Sequence, residues 1–130
     1  MESKAMKKVL VVQDDKLNGG LNVQLLEKEY EVLTANDGIE ALRMARKHTP
    51  DIVLMDMSLP VMDGWEATRR FKTDGKLRAI PIIALIAYEL RDGEERARGF
   101  GCDGYLARPI DADLLLEKLK SFLEDRNTMA

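Results

Sequence analysis

The chain alternates between two kinds of segment. Lys8-Val9-Leu10-Val11-Val12, Glu31-Val32-Leu33-Thr34, Asp51-Ile52-Val53-Leu54-Met55-Asp56, Pro81-Ile82-Ile83-Ala84-Leu85-Ile86 and Gly104-Tyr105-Leu106-Ala107 are apolar runs of strand length. After each comes a polar or glycine-bearing turn, then a stretch of helical periodicity. That alternation implies a parallel sheet covered by helices. The third run is continuously aliphatic, as in a central strand buried on both faces. Pro81 fits as the first residue of its strand, where no ladder hydrogen bond is lost.

Between the runs, Leu17, Leu21 and Leu25, joined by Leu26, predict a first helix, opposed by Gly19 and Gly20. Each glycine costs about 1 kcal/mol relative to alanine inside a helix. Ile39, Leu42 and Ala45 mark a second helix after the turn Asn36-Asp37-Gly38, and Pro50 stops it. Further helices are predicted over Trp65 to Lys72, Leu90 to Arg98 and Asp111 to Glu124, the last carrying Leu115, Leu116, Leu119, Phe122 and Leu123 behind an Asp111 N-cap. The fold class expected is α/β: a flavodoxin-like (βα)5 three-layer sandwich with a five-stranded parallel sheet, its strand order taken by analogy.

At 130 residues the chain suits one domain, 1–130, with a core of about 7–124 and short loose ends. No apolar stretch approaches the length of a membrane span, and the first eight residues lack the apolar segment of a secretory signal. Cys102 is the only cysteine, which rules out an intrachain disulfide and a cysteine-cluster metal site and fits a reducing cytoplasm. A net charge of −3 gives no global reason to bind nucleic acid or an anionic membrane, so a protein or small-molecule partner is favoured.

In open parallel sheets ligands bind beyond the carboxyl ends of the strands. There the first run ends in Gln13-Asp14-Asp15, the third in Asp56 and the fifth in Arg108-Pro109. Singly, charged strand ends are ordinary solvated residues. Together they would gather carboxylates and a cation in one place. Paired carboxylates repel unless a cation intervenes, and hard oxygen ligands suit Mg2+, which accepts one or two protein carboxylates plus a phosphate. An aspartate can then act as nucleophile to form an aspartyl phosphate while metal and guanidinium stabilise the phosphoryl charge.

On the stretches from Val9 to Asp15, Pro50 to Gly64 and Gly101 to Pro109, the sequence resembles the response-regulator receiver family, over nearly the whole chain and closest to its stand-alone members. The resemblance implies two-component phosphorelay signalling. It matches Asp56 to the phosphoacceptor, Asp14 to the second acidic metal ligand, Ser58 to the residue whose backbone carbonyl completes a Mg2+ site, Pro109 to a proline after a cis peptide bond, and Tyr105 to the switch aromatic. It implies a histidine kinase or phosphotransfer protein as donor and a separate protein as downstream partner. The segment Arg91 to Arg98, the fifth strand and the last helix correspond to a common partner surface, compatible with a monomer or weak dimer.

Three positions depart from the family pattern. Gln13 replaces the first of the paired acids and keeps an oxygen acceptor without the charge, which should weaken Mg2+ binding. Ile86 replaces a hydroxyl residue, so it cannot hydrogen-bond a phosphoryl group or link it to Tyr105 in that way. Arg108 replaces lysine; its planar fork can engage phosphate with two donors or pair with Asp56. Two readings remain: a phosphate-accepting receiver, or a degenerate one serving as a phosphorylation-independent docking module. A flavodoxin-like cofactor binder would need a glycine- or hydroxyl-rich phosphate loop where Gln13-Asp14-Asp15-Lys16 stands. An aspartyl phosphatase would need a second acid where Lys16 stands. Trp65 reads as a packing residue, His48 as a solvated helix end, and Met55, Met57 and Met62 as fillers.

Overall fold

The computed structural model describes residues 6–14, 21–87 and 91–123. Five strands form one parallel sheet: β1 (Lys8–Val12), β2 (Glu31–Ala35), β3 (Ile52–Asp56), β4 (Ile82–Ile86) and β5 (Gly104–Ala107), in the order β2-β1-β3-β4-β5. Four α-helices are described: α1 (Gly38–His48), α2 (Gly64–Thr73), α3 (Gly93–Phe100) and α4 (Ala112–Leu123). Among the described residues no helix is long and apolar enough to cross a membrane.

Side chains alternate across the sheet with period two, so each central strand supplies two cores. Leu10, Val12, Val53, Met55, Ile82, Ala84 and Ile86 meet the helices α1, α2 and α3 through Leu42, Ala45, Trp65, Phe71 and Ala97. Val9, Val11, Ile52, Leu54, Ile83 and Leu85 face Leu115, Leu119 and Leu123 of α4, with Leu26 and Tyr30. This double burial explains why β3 and β4 are unbroken apolar runs. It also places the one polar residue of β3, Asp56, at the strand's last position in a nearly dry setting.

Helix starts follow local chemistry. Asp37 caps α1 by accepting from Glu40 N at 2.8 Å, and Glu40 reaches back to Asn36 N at 2.6 Å. Asp63 caps α2 through Glu66 N at 2.9 Å, and Asp111 accepts from Asp113 N at 2.9 Å and Leu114 N at 3.2 Å at the start of α4. Lys72 of α2 donates to Ile80 O and Asp103, both at 2.9 Å, while Asp103 also accepts from Ile82 N at 2.8 Å. One ammonium thus ties α2 to the entries of β4 and β5.

The first predicted helix lies partly outside the described residues. Where the first helix is predicted, the described part is a short 3-10 turn, Val23–Leu25, capped by Asn22 through Gln24 N at 3.0 Å. Leu26 is fully buried, Leu25 is 40% exposed, and Tyr30 lies four residues after Leu26 in the same core. Leu21, Val23, Leu26 and Tyr30 pack the segment on this core, so of the described members of the predicted face Leu21 and Leu26 point inward and Leu25 outward. Leu17, Gly19 and Gly20 lie outside the described residues, as do Leu90 and Glu124, the predicted outer limits of two other helices; α3 begins at Gly93.

Gly64 permits a close crossing at the end of β3. A Cβ there would stand 2.4 Å from Asp56 O and 2.6 Å from Met57 Cα, both backbone atoms. Gly64→Ala is therefore expected to destabilise the fold by about 2 kcal/mol, in the range for overpacking a tight site. Gly75→Ala, which meets nothing within 4 Å, should not. Urea denaturation of the two variants checks the contrast; equal midpoints would refute it.

Candidate functional site

The sheet brings the ends of β1, β3 and β5 to one edge. β1 lies beside β3, so Asp14, two residues past Val12, reaches the neighbourhood of Asp56 and raises its pKa by charge repulsion. Arg108 follows β5, which is separated from β3 by β4, and its backbone is pinned by Arg108 N donating to Ile86 O at 2.9 Å. From there the guanidinium Nη2 crosses the end of β4 and forms a short ion pair with Asp56 Oδ2. The other oxygen, Oδ1, accepts from Ser58 N at 2.9 Å.

The Asp56 residue is 3% exposed, which sets its electrostatics. Burial raises its pKa above the ordinary 3.8; the Ser58 N–H and the Arg108 guanidinium lower it, and Asp14 adds a smaller upward push. Burial wins. The carboxylate is thus paired on both oxygens and still held at a higher proton affinity than a solvated aspartate.

Gln13 has a use that its sequence position does not disclose. Its Oε1 accepts from Leu21 N at 2.7 Å, its Nε2 donates to Leu21 O at 2.9 Å, and its backbone N–H donates to Ala35 O at 3.1 Å. The amide copies a backbone pair and holds the returning chain to the end of β1. A carboxylate could accept from Leu21 N but could not donate to Leu21 O. The oxygen expected to face a metal is therefore occupied by a main-chain donor.

Ile86 closes β4 as a buried core residue, 4% exposed, with no side-chain donor at the site. Tyr105 is half-buried against the same core, and its hydroxyl donates to Glu94 Oε1 of α3 at 3.0 Å, a contact unforeseen from sequence because it joins residues eleven apart through tertiary packing. The bond to Glu94 raises the Tyr105 pKa. The Arg108–Pro109 peptide is cis. Trp65 packs on Phe100, ring centroids 5.3 Å apart, and carries the Arg96 guanidinium 4.5 Å above its ring. Asp15 and Lys16 lie outside the described residues.

The donor set can be tested for a divalent ion. Among the described residues no cluster of three or more His, Cys, Asp or Glu is arranged for a metal. Two carboxylates, Asp14 and Asp56, with a backbone carbonyl are nevertheless a hard oxygen set of the size Mg2+ uses, since it keeps several waters. The mutual repulsion of the two acids is the feature a cation would relieve.

The family described as "Response regulator receiver domain" matches residues 9–120. The polar-differentiation response regulator DivK of Brucella anthropi is 42% identical over 120 residues, covering 92% of this chain and 98% of that protein. The Vibrio cholerae chemotaxis protein CheY4 superposes with a TM-score of 0.81 at 32% identity, over 92% of this chain and 100% of the other. The receiver domain of a Pseudomonas aeruginosa sensor histidine kinase, with a magnesium ion coordinated in its active site cleft, gives 0.80 at 35% identity over 91% of this chain and 98% of the other. The chain belongs to the response regulator receiver domain family and is a receiver domain of two-component signalling.

The raised pKa of Asp56 has a signed consequence. Between 3.8 and its higher folded value, the folded state holds more proton than the unfolded one, so this group's contribution to stability falls as pH rises. The penalty is complete above the folded pKa and absent below 3.8. Asp56→Asn should therefore unfold at higher urea concentration than the parent at pH 7, with the difference shrinking as pH approaches 3.8. A variant less stable than the parent at pH 7 would overturn this.

Proposed function

We propose that Asp56 is the phosphoacceptor of this receiver domain and that the domain signals through contacts with other proteins. The observation that carries the reading is the convergence on one buried carboxylate of a guanidinium, a backbone N–H and a second carboxylate from three separate stretches of chain. Receiver domains bind Mg2+ at the active site and exchange phosphate with histidine kinases or phosphotransfer proteins. On this reading Asp14, Asp56 and the Ser58 carbonyl hold Mg2+, which neutralises charge on the phosphoryl oxygens when bound. An Asp56 oxygen attacks phosphorus of a phosphohistidine donor, the P–N bond breaks, and the imidazole leaves with its electron pair. Arg108 must then exchange Asp56 Oδ2 for the incoming phosphoryl oxygens, a transfer its several N–H donors permit. The output is contact with a separate protein in the cytoplasm.

Three observations favour a second reading, a phosphorylation-independent docking module. Arg108 covers Asp56, the Gln13 amide is consumed by Leu21, and Ile86 offers no hydroxyl. Intact-mass measurement after incubation with a small phosphodonor and Mg2+ separates the readings. A phosphate-sized gain in the parent and none in Asp56→Asn supports acceptance at Asp56. No gain with any donor supports docking alone, and equal gain in both chains shows that another residue is modified. If Arg108 also stabilises the transferring group, Arg108→Ala should slow the gain about 100-fold, the loss typical for removal of one such donor. Faster labelling would instead identify Arg108 as a cover over the carboxylate.

Gln13→Glu adds the family's missing charge while giving up the bond to Leu21 O. Calorimetric titration with Mg2+ should show tighter binding than the parent by about tenfold, the scale of one added charge near a partly buried ion. Unchanged affinity would mean that position 13 faces the chain rather than the metal in both forms.

A further inference from the structure

An open groove of about 620 Å3 runs between α1 and α2. Its floor is apolar, formed by Ile39, Leu42 and Met62; its rim is cationic, formed by Arg43, Arg46, Lys47 and Arg70. We propose that this groove docks an acidic amphipathic helix of a separate protein, with apolar side chains on the floor and carboxylates against the rim. The proposal goes beyond phosphoryl acceptance, because it concerns a different face and needs no phosphate on Asp56.

Charge is the first argument. The whole chain carries −3, yet the groove lining contains four cations and no carboxylate. The nearby acids that pair with the rim are half-buried side chains beside it: Glu40 with Arg43 at 3.7 Å, Asp74 with Arg46 at 3.0 Å and Glu66 with Arg70 at 2.9 Å. The guanidiniums keep further N–H donors beyond these pairs, which a partner's carboxylates can engage.

The second argument is apolar exposure. Among the described residues the two most exposed large apolar side chains border this groove: Ile39 at 51% on its floor and Val61 at 80% beside Met62. Val61 is also held at φ 66°, a left-handed conformation that β-branched residues avoid. The surrounding loop fixes it there, with Met62 N donating to Pro60 O at 2.6 Å and Gly38 N donating to Met62 O at 3.0 Å. Strain of this kind concentrates where a surface is shaped for contact.

The third argument selects the class of ligand. No aromatic ring lines the groove to stack a nucleobase, and its charged side chains only donate hydrogen bonds, so nothing reads a base edge. Aliphatic floor and donor-only rim match aliphatic and carboxylate groups spaced on one helical face. The concavity lies between two helices, which suits a third helix better than a flat lipid surface.

The test uses the full, unphosphorylated chain and a synthetic helical peptide with leucines at i, i+4 and i+7 flanked by glutamates. Amide chemical shifts should move in residues 38–48 and 61–73, and fluorescence anisotropy should give saturable binding that weakens with salt. Replacing the peptide's glutamates by lysine, or its leucines by serine, should abolish binding. In the protein, Arg43→Ala with Lys47→Ala should weaken binding about fivefold, as expected for two exposed charge pairs. Ile39→Ser should weaken it by a similar factor, from half-exposed apolar area that the peptide would cover. All three positions are exposed or half-exposed, so an unchanged urea midpoint confirms that each variant folds. The proposal is overturned by equal binding of the lysine peptide, by shifts confined to α3, β5 and α4, or by undiminished affinity in the variants. It is equally overturned if the peptide fails while the chain dimerises through this face in sedimentation, or binds phosphatidylglycerol vesicles there.

Discussion

A carboxylate buried at the end of a central strand cannot be left uncompensated, and the answer to that demand organises the active edge of this domain. Ionised carboxyl groups lose several kcal/mol of hydration on burial unless donors replace the water. Asp56 receives two: the Ser58 N–H two residues on, and the Arg108 guanidinium from β5. The first follows from the turn that leaves β3. The second depends on the whole sheet, because β5 must be registered against β4 for Arg108 to begin from Ile86 O and reach past it. A long side chain is needed to span that strand, and Ile86, buried and without a polar atom in its side chain, offers no competing acceptor on the way.

The departures at positions 13, 86 and 108 belong together on electrostatic grounds. Among the described residues at this edge, Asp14 and Asp56 are negative and Arg108 positive. An acid at position 13 would add a further negative charge beside a carboxylate whose proton affinity is already raised by burial and by Asp14. Glutamine avoids that repulsion and gains a two-way bond to Leu21, fixing where the chain re-enters after β1. Position 13 thus adds no charge to this edge.

What could be read in the sequence follows from the range of the interactions involved. Strands β1 and β5 have the predicted bounds and β2, β3 and β4 differ by one residue, because an apolar run between turn residues is a local signal. Asp111 as the cap of the last helix is equally local. The first helix is different: leucine spacing suggests it, yet burial of Leu26 with Tyr30 rather than Leu25 decides which side faces the sheet. The paired use of Gln13 and the bond from Tyr105 to Glu94 join residues that only tertiary packing brings together, so residue type alone left them invisible. The presence of Asp56 and Arg108 at strand ends was legible, but whether Arg108 stands off or closes on the carboxylate depends on what lies between β3 and β5.

The loop from Met57 to Asp63 connects the two faces of interest. It begins with Met57 N donating to Leu85 O at 3.2 Å, continues with Ser58 N on Asp56 Oδ1, and ends where Gly64 N donates to Met57 O at 3.2 Å. In between, Met62 O accepts from Gly38 at the start of α1, and Gly38 is so close that a Cβ there would lie 2.6 Å from that oxygen. The loop is thus tied to the carboxylate at one point and to α1 at another, with Val61 strained between them. A change in the charge or bonding of Asp56 Oδ1 acts first on Ser58, and the tight packing around Met57, Gly64 and Gly38 leaves little slack to absorb it locally. Val61 keeps its φ of 66° within this loop, and its neighbour Met62 is a wall of the groove between α1 and α2. The end of β3 and the apolar, cation-rimmed face are thus joined by one short loop, which Ser58 N ties to Asp56 and Met62 O ties to the start of α1.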